Sequence, residues 1–427
     1  MARGTFEFAQ TPNQKAGLLP SLPARQQLLK RHNLTLVLRQ IATGEGLSRA
    51  QVAARTGLTK ATVSTLVNAL MDSGLVVEKN PERGLIGRPG SPLGLNEHGP
   101  VGLGIEINVD YVSSCVVDLT GEVRYHQTTV GDNRLLAPEA VLERAVGLAE
   151  SIWVEAEAAG LAVSGLGVGV PGLVDFDGVL HRAPNLLQWQ GIPVAEVIAK
   201  MLGRPLQSVH CDNEANLAAL GEHWFGHRDE LQNFVLVSGE IGVGAGIVMG
   251  GELFRGVRGL GGELGHVTVD PMGLVCSCGG RGCLETVAGQ EALLRSVGQP
   301  AKAGTAVENP AGSVAELERR ALAGESATVL SLEKAGTALG IALSAFLNVL
   351  DLPTVVLGGL YAKLAPWLIG PVTTELRDRV VNHSWSPIEV VASSLGADAA
   401  VRGAAGFTTQ AIIDDAAAWF PETLTKS

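Results

Sequence analysis

Aromatic residues are scarce in this 427-residue chain, at 4%. The few present do not alternate with basic residues, which removes the stacking platform of a single-strand nucleic-acid binder. Cysteine is scarcer still and odd in number, five in all, so a disulfide framework is not expected. No apolar run reaches the roughly 18 residues of a transmembrane helix, and the opening segment lacks the apolar stretch of a secretory signal. These absences read most simply as a cytoplasmic protein with no membrane partner. Internal repeats with periods of about 20–50 residues are also missing, which sets aside solenoids and propellers. Positive charge is short as well: 32 Lys+Arg against 43 Asp+Glu leaves a net −11. Taken whole, that balance argues against a nucleic-acid partner.

The charge is unevenly placed, however. Residues 1–98 carry 12 basic and 6 acidic groups, a net +6, and the remainder carries 20 and 37, a net −17. A basic head on an acidic body directs attention to a nucleic-acid module at the head. At about 150 residues per domain, the length predicts two or three domains. The 54 glycines suggest an α/β body with tight strand-to-helix turns.

Residues 1–32 contain Pro12, Pro20 and Pro23 and read as a flexible arm leading into a helix near Gln26. Leu34, Val37, Leu38 and Ile41 then recur at helical spacing. Ser48 with Gln51 three residues on makes a capping-box pattern. Gly57 breaks that second helix, Thr59 caps the next, and Val63, Leu66, Val67 and Leu70 form its buried stripe. A strand at 75–78, a Gly/Pro/Arg-rich turn over 79–92 and a returning strand at 93–96 complete a wing. This is a winged helix-turn-helix, expected over 33–98. Its second helix would enter the major groove of double-stranded DNA by its N-terminal residues. The candidate DNA contacts are Ser48, Thr59, Lys60, Thr62 and Ser64, with Arg83 and Arg88 at the wing tip for a minor groove. The plainer alternative is a three-helix protein–protein module.

From Gly99 onward strands alternate with helices. Strands are expected at 101–107, 113–117 and 165–170, a hairpin over 234–249, helices at 138–159, 214–224 and 332–350, and a strand at 354–357 before Gly358-Gly359. Cys115 and Cys211 read as small core residues, and Trp189, Trp224 and Trp385 as core or pocket-wall aromatics. The remaining cysteines cluster: His266, Cys276, Cys278 and Cys283 stand as H-x9-C-x-C-x4-C. Three thiolates and an imidazole form a closed tetrahedral zinc set with no open ligand position, so a structural metal is expected.

The chain Gly262-Glu263-Leu264-Gly265-His266, followed by C-x-C-G-x-x-G-C-x-E, resembles the zinc and sugar-site signature of the ROK family of repressors, open reading frames and sugar kinases. The resemblance extends to GVPGLVDFDGVLHRAPNLLQW (169–189), CDNEANLAALGE (211–222) and VVLGGL (355–360). It implies a multidomain protein: the winged-helix head, then an α/β actin-like body in two lobes. The first lobe would span 99–215, completed by a C-terminal helix near 398–420, and the second, with the zinc motif, 216–397. It further implies a sugar pocket between the lobes formed by Asn185, Asn213, Glu214, Glu263, His266 and Glu285, with His266 shared between metal and ligand.

The two loops that cradle ATP phosphates in kinases of this family are altered. Where D-I-G-G-T-K is usual, this chain has Glu106-Ile107-Asn108-Val109-Asp110-Tyr111; where G-T-G-I-G is usual, it has Glu240 at the hydroxyl position. The catalytic aspartate is matched by Glu214, one methylene too long, a vestigial base. Loss of phosphoryl transfer, and no ATP, are therefore expected. The resulting reading is a sugar-responsive transcriptional regulator, most simply a repressor, acting as a homodimer or homotetramer. Its alternatives are an active sugar kinase with a DNA-binding head and a regulator answering to a protein partner.

Overall fold

The structure, a computed structural model, describes residues 26–44, 46–79, 91–226, 231–298 and 310–420. The head is built from α1 (Gln26–Thr43), α2 (Arg49–Thr56), α3 (Lys60–Asp72) and the antiparallel pair β1 (Val76–Glu78) and β2 (Leu93–Leu95). Its first helix thus starts seven residues before the boundary expected at 33. The capping signals act as expected. Ser48 and Gln51 form a reciprocal box, Gly57 closes α2 at φ 72°, and Thr59 Oγ1 accepts from the Thr62 N–H. Val63, Leu66, Val67 and Leu70 are buried. Arg83 and Arg88 lie outside the described residues.

The first lobe contains β3 (Pro100–Ile107), β4 (Tyr111–Asp118), β5 (Val123–Val130), α4 (Pro138–Ala158), β6 (Ala162–Val170), a small sheet of β7 (Leu173–Val174), β8 (Val179–Arg182) and β9 (Ile192–Pro193), α5 (Val194–Met201) and β10 (Val209–Asn213). Helix α6 (Glu214–Phe225) leads to the second lobe. There follow β11 (Phe234–Gly239), β12 (Val243–Met249), β13 (Glu252–Leu253), α7 (Glu285–Ala288), α8 (Gln290–Ser296), α9 (Pro310–Leu322), α10 (Ser326–Leu350), β14 (Thr354–Gly359), α11 (Leu360–Arg379) and β15 (Glu389–Ala392). The chain then returns to the first lobe as α12 (Ala399–Asp414).

Both lobes repeat one topology. The five-stranded orders are β10-β6-β3-β4-β5 and β13-β12-β11-β14-β15. Each is an antiparallel meander of three strands extended by two parallel ones. Crossovers through α4 and α10 lead to β6 and β14, the strands that pair in parallel with β3 and β11. Helix α10 is apolar and long enough to cross a membrane by length and composition. Leu332, Leu339, Leu343 and Leu347 instead place its buried face in the second lobe's core.

Glycine permits the central contact. A Cβ at Gly104 would lie 2.3 Å from Val401 O, and one at Gly167 would lie 2.0 Å from Ala404 O. With no side chain at these two positions of β3 and β6, α12 lies directly on the first sheet. Its far end reaches the head. Ile412, Ile413 and Ala416 share a hydrophobic cluster with Leu34, Val37, Leu38 and Ile41 of α1. The ion pairs Arg31–Asp415 and Arg39–Asp414 flank that contact. The head is thus seated on the body and does not dangle from a linker.

Candidate functional site: an acidic cleft beside a cysteine cluster

A cleft opens between the lobes. All six residues singled out for sugar, Asn185, Asn213, Glu214, Glu263, His266 and Glu285, line it. Asn213 and Glu214 arrive where β10 turns into α6. Asn213 is the N-cap of that helix: its Oδ1 accepts from the N–H groups of Ala215 and Asn216, at 2.8 and 3.3 Å. Its Nδ2 donates to Gly172 O at 3.0 Å and to Glu214 Oε2 at 2.9 Å. The carboxamide is therefore fully engaged in this state, and it positions Glu214 instead of reaching into the cleft on its own account.

On the opposite wall, Glu285 Oε2 accepts from Asn185 Nδ2 and from the Val243 N–H, both at 3.4 Å. Ser277 Oγ bridges Asn185 Oδ1 and Glu285 Oε1, each at 3.4 Å. Glu263 Oε2 lies 3.7 Å from His266 Nε2. Burial pushes the Glu263 carboxyl up, opposed by His266 and reinforced by Glu285.

The ligand-type atoms of His266, Cys276, Cys278 and Cys283 fall within 4.8 Å of one another, a set able to hold a metal ion. His266 Nδ1 faces Cys276 Sγ at 3.7 Å, and Cys278 Sγ faces Cys283 Sγ at 3.8 Å. The two imidazole nitrogens are thus divided, Nδ1 toward the thiols and Nε2 toward Glu263 and the cleft. Cys276 Sγ also lies 3.7 Å from Glu285 Oε1. The cysteine cluster braces both acidic edges of the cleft.

The loops matched to a phosphate cradle offer little to a phosphate. The Asn108 N–H donates to Tyr111 O at 2.9 Å, the Val109 N–H to Asn108 Oδ1 at 2.7 Å, and the Glu240 N–H to Gly242 O at 2.9 Å. The Asn108 and Val109 side chains fill the space that glycines would leave, each 2% exposed. Behind them Tyr111 Oη donates to Glu106 Oε1 at 2.6 Å, while the buried Glu106 Oε2 has no partner. Burial raises Glu106 to about 7 and Asp110 to about 6. It also holds Glu214 and Glu240 well above the ordinary carboxylate range, and mutual repulsion among these acids adds to the effect.

Sequence reasoning missed the arginines that join the lobes. Arg255 Nη2, from the segment after β13, donates to Asp212 Oδ1 at 3.0 Å and to Asp175 O at 3.2 Å. Its guanidinium also stacks over Phe176 at 4.6 Å. Arg134 reaches Glu291 at 2.8 Å. No local pattern marks either residue, because both partners are distant in sequence. Trp189 is buried as expected and Trp224 is half-buried against Phe407. Trp385 is a correction: it is 74% exposed, because the turn after α11 carries it outward from the second lobe.

In the head, Lys60 and Thr59 are exposed at the start of α3, and Thr62, Ser64 and Ser48 are half-buried nearby. The hydroxyls of Ser48 and Thr59 are already used in capping. Arg49, not anticipated, ties α2 to α3 and β1 through Asn68 Oδ1 at 2.7 Å and Glu78 Oε1 at 3.0 Å.

Comparison with known proteins agrees with this architecture. Residues 35–84 match the MarR family. The chain is 30% identical to the xylose repressor of Bacillus subtilis over 391 residues, covering 92% of this chain and 98% of that one. A solved ROK family transcriptional regulator, a homologue of the E. coli Mlc protein, superposes with a TM-score of 0.72 at 26% identity, over 93% of this chain and all of that one. The ROK family glucokinase from Streptomyces griseus, solved with glucose and AMPPNP, matches 73% of this chain and 99% of its own, with a TM-score of 0.61 at 26% identity. Residues 102–411, the whole two-lobed body from β3 to α12, match the ROK family, and the chain belongs to it.

Proposed function

We propose that this protein is a sugar-responsive transcriptional repressor that has lost kinase activity. The head binds double-stranded operator DNA through α3, and a sugar bound in the cleft changes that affinity. One observation carries the reading: a pair of packed helices runs from the cleft to the head. Helix α6 begins at Glu214 in the cleft and packs along α12. Helix α12 ends in the hydrophobic cluster of α1. A ligand that moves Glu214 therefore moves the seat of the DNA-binding head.

In a homodimer or homotetramer, such a shift alters the spacing of two recognition helices. Half-sites about 34–36 Å apart tolerate little mismatch. The ligand acts only through its different affinities for the two states. The resemblance to a xylose repressor and to a glucose-bound glucokinase supports both halves of the reading, and the setting is the cytoplasm.

The metal in this reading is zinc, held by His266, Cys276, Cys278 and Cys283. A tetrahedron with Zn–S near 2.3 Å and Zn–N near 2.0 Å puts its donors about 3.5–3.8 Å apart. Two of the donor pairs stand at 3.7 and 3.8 Å, and all four donors lie within 4.8 Å, close enough for a metal to draw together. With four protein ligands it braces the cleft and leaves no place for a catalytic water. Kinase activity is lost because the phosphate loops spend their N–H donors internally and present Asp110 and Glu240.

The test is an anisotropy titration of the full-length protein on operator DNA selected from genomic fragments, repeated across a sugar panel. A sugar-dependent change in affinity is expected, and none for any sugar or sugar phosphate overturns sugar control. A coupled ADP-release assay should stay at background; turnover near 1 s⁻¹, ordinary for an enzyme, overturns the loss of catalysis.

A further inference from the structure

Two stretches of chain cross between the lobes: α6, and the segment 393–398 between β15 and α12. Helix α6 starts at Glu214 in the cleft and lies on the second sheet, where Ala218 and Ala219 share a cluster with Phe234, Leu236 and Val356. The second crossing sets where α12 begins. Helix α12 has no side-chain cap, because Asp398 makes no such bond to its first turn. Its start is therefore fixed by whatever holds the segment before it.

That hold comes from one side chain. Glu222, in the last turn of α6, is 1% exposed and does not line the cleft. Its Oε1 accepts from the Ser394 N–H at 2.9 Å and from Ser394 Oγ at 2.8 Å. Its Oε2 accepts from Ser393 Oγ at 2.6 Å and from the Leu395 N–H at 3.4 Å. Ser393 Oγ in turn accepts from the Gly396 N–H at 2.9 Å, and the Ser393 N–H donates to Leu357 O of β14 at 2.9 Å. Four donors from three consecutive residues thus converge on one buried carboxylate. Apolar packing would join the two crossings with less desolvation but would let them slide; converging bonds fix one arrangement. Given the sugar-responsive reading above, we propose that Glu222 is the positioning residue of the response. It ties the two crossings into one hinge, so that a sugar-driven tilt of α6 redirects the start of α12. The ligand acts at the first turn of α6, and Glu222 passes the movement on about 12 Å further along that helix.

The test separates binding from response. Glucose, mannose, galactose and xylose are titrated into the full-length protein by calorimetry, with and without operator DNA. Operator affinity is measured by anisotropy with and without each sugar. In the wild-type protein both routes should return the same coupling, about 5–150-fold. Glu222→Gln keeps the shape but sets an NH2 group against the Ser394 or the Leu395 N–H, which loses its acceptor. Its sugar affinity without DNA should stay within about threefold of wild type, while the coupling falls to about twofold or less. Ser394 is exposed, so substitution there spares the core. Ser394→Ala should lose part of the coupling, and Ser394→Thr, which keeps the hydroxyl, should retain it. A merely structural role would lower the melting temperature and leave the coupling as it was. Full coupling in folded Glu222→Gln overturns the inference and leaves the sugar-responsive repressor intact. Sugar affinity lost in step with the coupling also overturns it, by making Glu222 a support of the cleft. Should Glu222→Gln not fold, equal coupling in Ser394→Ala and Ser394→Thr overturns it. A wild-type protein that answers to no sugar overturns the sugar reading itself, and the inference falls with it.

Discussion

Gly403 of α12 lies against the backbone of Leu217 on α6, so closely that a Cβ there would fall 1.8 Å from the Leu217 carbonyl oxygen. Gly221 faces Ala399 in the same manner, with 2.3 Å to its carbonyl oxygen. Backbone-to-backbone packing leaves no compliant side chain between the helices. Any displacement of α6 is then transmitted to α12 and not absorbed.

The first prediction follows from that contact. Gly403→Ala must force α12 off α6, because the clash is with backbone and no rotamer relieves it. Overpacking of this kind costs on the order of 1–3 kcal/mol. The melting temperature should fall, and the sugar response of operator binding should weaken more than operator binding itself. Ala→Gly at exposed Ala418 would make a control of comparable chemistry outside the contact. A Gly403→Ala protein with wild-type stability and response would remove α12 as the transmitting element.

Arg255 supplies the second. It joins the segment after β13 to Asp212, which is 1% exposed and carries further bonds from the Asn213 N–H and from Asn216. Removing one partner of a buried pair costs about 3–5 kcal/mol, because the other is left uncompensated. Arg255→Ala should lower the melting temperature and weaken sugar binding together, since Asp212 adjoins Asn213 and Glu214. Arg255→Lys should recover part of both. Thermal melts paired with sugar titrations measure the two effects.

How much of this was legible in the sequence depended on the range of the signal. Caps at Ser48 and Thr59, the buried run 165–170 and the spacing of His266 with three cysteines are local patterns, and each appears where expected. Strand β5 was not read, because six of its eight residues, Arg124 to Thr129, are polar or aromatic, and it lies at a sheet edge. Helix α11 was hidden by Pro366 and Pro371 inside it. Arg255, Arg134 and the seating of α12 on the head depend on partners far away in the chain. Trp385 misled for a related reason: apolar character gives no direction when the fold places a residue on an outward turn.

Stability should depend on pH with a defined sign. Burial raises Glu106 from 4.5 to about 7 and Asp110 from 3.8 to about 6. A raised carboxyl keeps its proton longer in the folded state than in the unfolded one. Its contribution is therefore fully present below the unfolded value and is lost as pH rises to the folded one. For Glu106 the window runs from 4.5 to about 7. Glu106→Gln cannot ionise, and its carbonyl oxygen can still accept from Tyr111. The melting temperature of the variant relative to wild type should rise between pH 5 and pH 8. A difference that is flat across that range would mean that Glu106 stays charged or is relieved by an unseen partner.

Metal loss should act on the cleft before it acts on the head. The segment from Glu263 to Glu285 has one short 3-10 turn and no regular strand, only turn bonds and isolated bridges such as Thr268–Cys283. Cys278→Ser, or a strong chelator, should remove the metal and free both acidic edges. Sugar affinity should drop by about 10–100-fold, the scale seen when the support of a metal site is lost. Operator binding without sugar should survive, since the head's core lies with α12 and not with this segment. Metal content by elemental analysis, read beside the two titrations, separates these effects. Loss of operator binding in step with the metal would place the cluster in the head's support instead.

The head offers a test in which two adjacent residues should fail differently. Thr59 caps α3 through the Thr62 N–H at 3.1 Å, so Thr59→Ala should cost about 1 kcal/mol of stability whether or not DNA is present. Lys60 is exposed at the same helix start and serves as a cap for nothing. Lys60→Ala should leave the melting temperature unchanged and weaken binding to operator and unrelated DNA alike. If Lys60 meets a phosphate, the slope of log affinity against log salt should shrink by about 1. The +6 head attached to a −17 body makes that slope informative, because the body repels DNA and only a few head residues can contribute to it. An unchanged slope with selective loss on the operator would instead put Lys60 against a base edge, and would make α3 a reader at its first residue.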